Sequence, residues 1–208
     1  MAKDTRQLIL DASEDLFNSQ GYTATSMRQI AGACGITTGN LCYYFSKKED
    51  LLMAYHNKLS FTFIEQLPED LAQQDPWCSY IAAEYCFLYR CASDPVIRKL
   101  YLDVINVPSL RVSYNDVHHE IFMKFLSNET AKEAPLHVFL TTVAACSIEY
   151  HMMEQYNEHE KEITFDQAFS YVFETRMKLL GISPKLCSEK IEKGFILGKE
   201  IFEKANLQ

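Results

Sequence analysis

Arg28, Thr37, Thr38, Gly39, Asn40, Tyr43, Tyr44 and Lys48 fall within one short stretch, SMRQIAGACGITTGNLCYYFSKKEDL, residues 26–51. Together they offer a guanidinium fork, an ammonium, hydroxyls and an amide, and Gly39 lets the backbone approach a partner closely. Groups of this kind meet phosphate oxygens and base edges; they are not a nucleophile with its base. Thr37, Thr38, Gly39 and Asn40 stand at the start of a short helix, the part of such a helix that enters a DNA major groove. Tyr43 and Tyr44 can donate hydroxyls to phosphate, and Arg28 can reach guanine with both arms of its fork. Lys48 opposes the dipole of the helix it begins, yet beside free backbone N–H groups it is placed to meet a phosphate.

The elements that must hold these groups are marked by local signals. A capping box, Ser26 with Gln29, opens one helix over 27–33, and Gly35 makes the turn after it. Thr37 and Thr38 start a second helix to Tyr44, with Ile36, Leu41 and Phe45 turned to the core. The spacing predicts another capping box at Ser46 and Glu49. Ahead of the stretch, Ile9, Ala12 and Leu16 recur at helical spacing over about 5–18, and Gly21 stops that helix. Behind it, Leu51, Leu52, Tyr55, Leu59, Phe63 and Leu67 extend a helix over about 47–66. That helix links a helix-turn-helix unit, residues 1–50, to a larger body, residues 51–208.

The chain has 208 residues, 48% of them hydrophobic and 23% charged, with seven glycines and six prolines, which suits a helical globular protein with a sizeable core. No apolar run is long enough for a membrane span and the N-terminus does not read as a signal peptide, so a cytoplasmic protein is expected. The cysteines, at 34, 42, 78, 86, 91, 146 and 187, stand singly with no CxxC pair, as reduced and mostly buried thiols do. The net charge is −8, an unusual balance for a DNA binder. Its distribution resolves this: the acids and bases of residues 1–59 cancel, and no acid occurs between Asp15 and Glu49. The window that carries the candidate contacts is locally positive.

Within the body, Asp75-Pro76, Asp94-Pro95 and Ser183-Pro184 mark helix starts. Helices are expected over 76–92, 95–106, 109–127, 135–157, 165–180 and 184–205. The first is apolar nearly all round and so central. Helices 135–157 and 165–180 carry wide apolar faces, the former with small residues at Ala144, Ala145, Cys146 and Ser147, and a pair of each would form a four-helix dimer interface. Tyr85, Tyr89, Tyr101, His118, Phe122, Glu149 and His151 are candidates to line a ligand pocket, the polar ones because a buried group needs a partner. A metal set of His118, Glu149 and His151 can be drawn, but His118 and His119 cannot face one way and no cysteine has ligand spacing, so no metal and no cofactor is expected. There is no nucleophile elbow, HExxH, P-loop or glycine-rich nucleotide turn to suggest an enzyme.

ILDASEDLF, GYTATSMRQIA, GITTGNLCYYF and SKKEDLL resemble, nearly end to end, the DNA-binding domain of the TetR family of transcriptional regulators, with Cys42 in place of the family's usual tyrosine. The resemblance covers about the first 58 residues. It implies an all-α homodimer with one three-helix head per subunit on a palindromic double-stranded DNA operator. It also implies a C-terminal domain that takes a small-molecule inducer and dimerises through its last long antiparallel helices. A ligand-released repressor is the reading that follows, ahead of an architectural or adaptor protein without inducer and of an all-α enzyme.

Overall fold

The computed structural model describes residues 4–125, 135–159 and 162–205. Among them are eleven helices and no strand. α1 (Thr5–Gln20), α2 (Met27–Ala33) and α3 (Thr38–Tyr44) form the head. The Ser26–Gln29 box is formed in both directions, with the Ser26 hydroxyl accepting from the Gln29 N–H at 3.3 Å and the Gln29 side chain accepting from the Ser26 N–H at 2.9 Å. Gly35 takes φ 67°, the left-handed conformation that lets the chain reverse within two residues. Thr37 then caps α3 by accepting from the Asn40 N–H at 3.1 Å. Ile9, Phe17, Ile30, Leu41, Leu51 and Leu52 close the head's core with almost no exposure.

α4 (Lys48–Ile64) starts one residue later than the spacing predicts. Asp50, not Glu49, closes its first turn: the Asp50 carboxylate accepts from the Lys47 N–H at 3.1 Å and from the Ser46 hydroxyl at 2.8 Å. The shorter acid one residue further on reaches both donors from its own turn. α4 is fastened to α1 by Tyr55, whose hydroxyl donates to Asn18 at 2.9 Å, and by Lys58, paired with Glu14 at 2.7 Å.

The body holds α5 (Leu71–Gln74), α6 (Pro76–Ser93), α7 (Pro95–Asn106), α8 (Pro108–Phe125), α9 (Pro135–His159), α10 (Phe165–Leu179) and α11 (Pro184–Ala205). The expected end of the third body helix, residues 126 and 127, lies outside the described residues. α5 is a single turn, and Asp70 before it makes no side-chain cap. The Asp-Pro starts are formed as expected, with Asp75 accepting from the Cys78 N–H and Asp94 from the N–H groups of Val96 and Ile97. No described helix is long and apolar enough to cross a membrane.

α6 is central, buried from Trp77 to Cys91 along most of its length, and it packs most extensively on α11. The two helices meet at glycines. A methyl at Gly194 would stand 2.5 Å from Cγ2 of Ile81, and one at Gly198 2.8 Å from the Tyr85 ring. Gly32, inside α2, has open space instead. Gly194→Val is therefore expected to lower the unfolding free energy by about 1–3 kcal/mol through overpacking, whereas Gly32→Ala raises it by about 0.5–1 kcal/mol through helix propensity. Urea unfolding followed by circular dichroism checks both signs.

Candidate functional site

The head presents its polar residues outward. Arg28 on α2 and Thr37, Thr38, Gly39, Asn40, Tyr43 and Tyr44 at and along α3 are all exposed, Tyr43 at 83%. The rings of Tyr43 and Tyr44 meet edge to face with centroids 5.2 Å apart. Buried Leu41 and Phe45 hold that helix from behind, with Ile36 partly buried against the same core. Cys42 is exposed beside them.

Lys48 departs from its expected place. Its ammonium turns inward, donating to the carbonyls of Tyr22 and Thr25 at 2.7 Å each, and lies 4.1 Å from the centre of the Tyr22 ring. Burial lowers its pKa, against the pull of Glu49 and Asp103. With two of its three donors committed, Lys48 fastens the start of α4 to the α1–α2 turn. Lys47 is the exposed ammonium next to it.

A second concentration of polar groups lies in the middle of the body. Glu149 on α9 is fully buried; its Oε1 accepts from the hydroxyls of Tyr101 at 2.9 Å and Tyr114 at 2.5 Å, and its Oε2 accepts from Arg176 at 2.5 Å. Arg176, on α10 and equally buried, also donates to the Tyr80 hydroxyl and lies over the rings of Phe122 and Phe173. His118 donates from Nδ1 to the Tyr114 carbonyl at 3.0 Å, while its Nε2 stands 3.5 Å from Glu84, a long approach and not a formed hydrogen bond. His56 of α4 packs against Phe87, Tyr101 and Tyr114.

Electrostatics follow from this packing. Burial opposes ionisation of Glu149, but Arg176, His118 and the Tyr114 hydroxyl outweigh it and hold the carboxyl below its ordinary range. Burial likewise opposes the charge on His118, and Glu84 overcomes it, so the imidazole is raised. His56 has no such partner: burial, reinforced by His118, pushes it down to about 4. The thiols of Cys86 and Cys91 are pushed up by burial, Cys86 to about 12, far from thiolate reactivity.

The residues expected to line one pocket thus divide among three places. Tyr101, His118, Phe122 and Glu149 come together in the buried cluster. Tyr85 and Tyr89 stack on each other at 5.7 Å and pack against Phe165, away from that cluster. His151 is exposed and lines a separate cleft of about 160 Å³ with Arg111, Asn115 and Tyr150. Glu149, a candidate to line a pocket, is satisfied where it stands by Arg176 and two tyrosines. Sequence reasoning missed Glu84, Tyr114 and Arg176. The signal available for two of them was a charge among apolar residues: Glu84 in IAAEYCFL and, beside Glu174, Arg176 in FSYVFETRM.

A capped recognition helix on a small three-helix head, set on an all-helical body, defines a helix-turn-helix protein. Residues 9–55 match the family described as "Bacterial regulatory proteins, tetR family". The head is 46% identical over 50 residues to the HTH-type transcriptional regulator AcrR of Shigella flexneri, a match that covers 24% of this chain and 23% of AcrR. The chain therefore spans about a quarter of that relative's length. The fold extends the likeness beyond the head. SmeT of Stenotrophomonas maltophilia, the repressor of the multidrug efflux pump SmeDEF, superposes with a TM-score of 0.57 at 14% identity, covering 85% of this chain and 90% of SmeT. RolR, solved in complex with resorcinol, superposes with a TM-score of 0.56 at 16% identity, covering 91% and 92%.

His56 generates a prediction for stability. Its folded pKa of about 4 lies below the ordinary 6.5, so as pH falls below 6.5 the unfolded chain takes up a proton that the folded chain refuses. Folded stability from this group is full above that range and is lost on acidification. His118 has the opposite sign: its pKa is raised on folding, so its contribution is present below its ordinary pKa and lost at higher pH. The slope between pH 6.5 and about 5 therefore belongs to His56, and is expected to amount to about 2 kcal/mol. Chemical unfolding at a series of pH values should show this loss in the wild-type chain and a flatter profile in His56→Phe.

Proposed function

We propose that the chain is a dimeric, sequence-specific DNA-binding transcriptional regulator, a repressor that leaves a palindromic operator when a small molecule binds its body. The observation that carries this reading is the exposed start of α3, Thr37 to Asn40, on a head of TetR type. Thr38 and Asn40 meet base edges, with the Gly39 and Thr37 backbone close to the groove wall. Arg28 reaches a guanine, and the Tyr43 and Tyr44 hydroxyls and the Lys47 ammonium meet phosphates. Lys48 contributes by holding α4 to the head.

Dimerisation uses α9 and α10. Leu136, Phe139 and Leu140 of α9 and Tyr171 and Leu179 of α10 are apolar side chains open to solvent in the single chain. Ala144 and Ser147, also exposed, let a partner helix approach closely, while Ala145 and Cys146 are already buried within the subunit. Such a face covered by its own copy forms a four-helix interface with two-fold symmetry. The bound ligands of similar folds, such as resorcinol in RolR, support a small-molecule effector in the body of this one. The regulator works in the cytoplasm, where its DNA is.

Regulation runs through α4. The helix touches the head at Lys48 and the body's polar cluster at His56. A rearrangement of the cluster moves both heads relative to half-sites about one helical turn apart, or a multiple of it, and lowers DNA affinity. A ligand that favours the DNA-free arrangement by a few kcal/mol suffices.

A gel-shift titration with DNA from upstream of the gene tests the assignment. Arg28→Ala is expected to weaken operator binding by about 1–3 kcal/mol and to relax preference at one base pair of each half-site. Lys47→Ala is expected to weaken operator and random DNA alike and to make the salt dependence shallower by about one phosphate per head. Equal losses on both DNAs for Arg28→Ala would remove its role in base reading.

A further inference from the structure

Three side chains in the body's interior point polar atoms at one another and leave binding capacity unused. Glu84 of α6, His118 of α8 and Glu149 of α9 each present an oxygen or nitrogen within 4.8 Å of the other two. Oε2 of Glu84 and Nε2 of His118 are shielded from solvent and have no hydrogen-bond partner. His118 is 95% buried on its side chain, since only 5% is exposed. Buried polar atoms are almost always satisfied, so two orphans facing one space call for an occupant.

The surroundings prepare these atoms to ligate a cation. The Tyr114 carbonyl can only accept, so Nδ1 of His118 carries a proton and Nε2 is the ring nitrogen left facing Glu84, where an incoming cation would take the place of any proton it holds. One ring nitrogen on a backbone carbonyl and the other free is the arrangement that orients metal-bound imidazoles. Glu149 is held in the same manner by Tyr101, Tyr114 and Arg176. Those three donors leave one of the roughly four lone-pair positions of its carboxylate. Two carboxylates against one guanidinium leave one negative charge to face the incoming ion.

We propose that Glu84, His118 and Glu149 form a binding site for a first-row divalent cation, joining α6, α8 and α9 inside the body. A span of 4.8 Å fits the first shell of a single ion and not an organic molecule. Bonds of about 2.0–2.2 Å place opposite ligands about 4.4 Å apart at most, so a small inward rotation of Glu84, the partly exposed member, completes the set. One imidazole with carboxylate oxygens suits Zn²⁺ and Mn²⁺, with Zn²⁺ the tighter. His151 of α9 is excluded from the set: it is exposed and its ring bonds to the Ser147 carbonyl.

Purified full-length protein, stripped with EDTA, is titrated with ZnCl₂ and with MnCl₂ by isothermal calorimetry, and its melting temperature is measured with and without each metal. Saturable binding of one ion per chain, with a raised melting temperature, is expected. Glu84→Gln and His118→Ala should each weaken binding at least about tenfold, and His151→Ala should leave it unchanged. If His118→Ala fails to fold, Glu84→Gln decides, since it keeps the side chain's volume. No saturable binding of either metal, or binding unaltered by Glu84→Gln, overturns the site. Both readouts are taken without DNA, so either result leaves the regulator reading standing.

Discussion

Glu149 and Arg176 form an ion pair with neither partner open to solvent. Removing two charges from water costs several kcal/mol per ion, and a buried pair survives only when further hydrogen bonds fill the remaining valences. Here those bonds come from Tyr101, Tyr114 and Tyr80. The five residues lie on α7, α8, α6, α9 and α10, so satisfying one pair fixes the register of five helices at once. Apolar packing among Trp77, Phe122 and Phe173 surrounds the pair but would tolerate more than one arrangement; the polar contacts select one. A constraint of this kind contributes specificity more than net stability.

α4 carries that constraint to the head. His56 lies against Tyr101 and Tyr114, two of the residues that ligate Glu149, and is kept neutral by burial. Two turns earlier on the same helix, Lys48 grips the carbonyls of Tyr22 and Thr25. Tyr55 and Lys58 add contacts to α1 between and beyond them. A helix held by the head at Lys48 and by the body at His56 would carry a change at the buried pair to the head, as the proposed effector control of DNA binding requires.

Local chemistry made most of the fold legible. Proline after an aspartate, a serine three residues before a glutamine, and glycine where φ must be positive each act within one turn, so helix starts at Met27, Thr38, Pro76 and Pro95 could be read directly. The α4 start was missed by one residue because Glu49 and Asp50 both offer a capping carboxylate, and only their reach in three dimensions separates them. Lys48 was misread for a different reason. Its partners are more than twenty residues away, and a cation that looked unfavourable in a first turn was satisfied by tertiary carbonyls and not by a phosphate. The buried cluster was least legible, since Glu149 meets partners 27, 35 and 48 positions distant. Charges among apolar residues marked Glu84 and Arg176 as unusual, without showing that they converge. The aromatic residues misled in the opposite direction: Tyr85 and Tyr89 looked available for a ligand and are occupied by α10 and α11.

In the proposed regulator, acidity of the whole chain and positivity of one window are compatible because only the exposed start of α3 and its flanks would approach DNA. Selection of bound sequences from a random double-stranded library, using the purified full-length protein, tests this most directly. Enrichment of an inverted repeat, with half-sites about one helical turn apart or a multiple of it, is the expected result. Recovery of DNA with no enriched motif, or of a motif without two-fold symmetry, would contradict a dimer that reads DNA through paired helix-turn-helix heads.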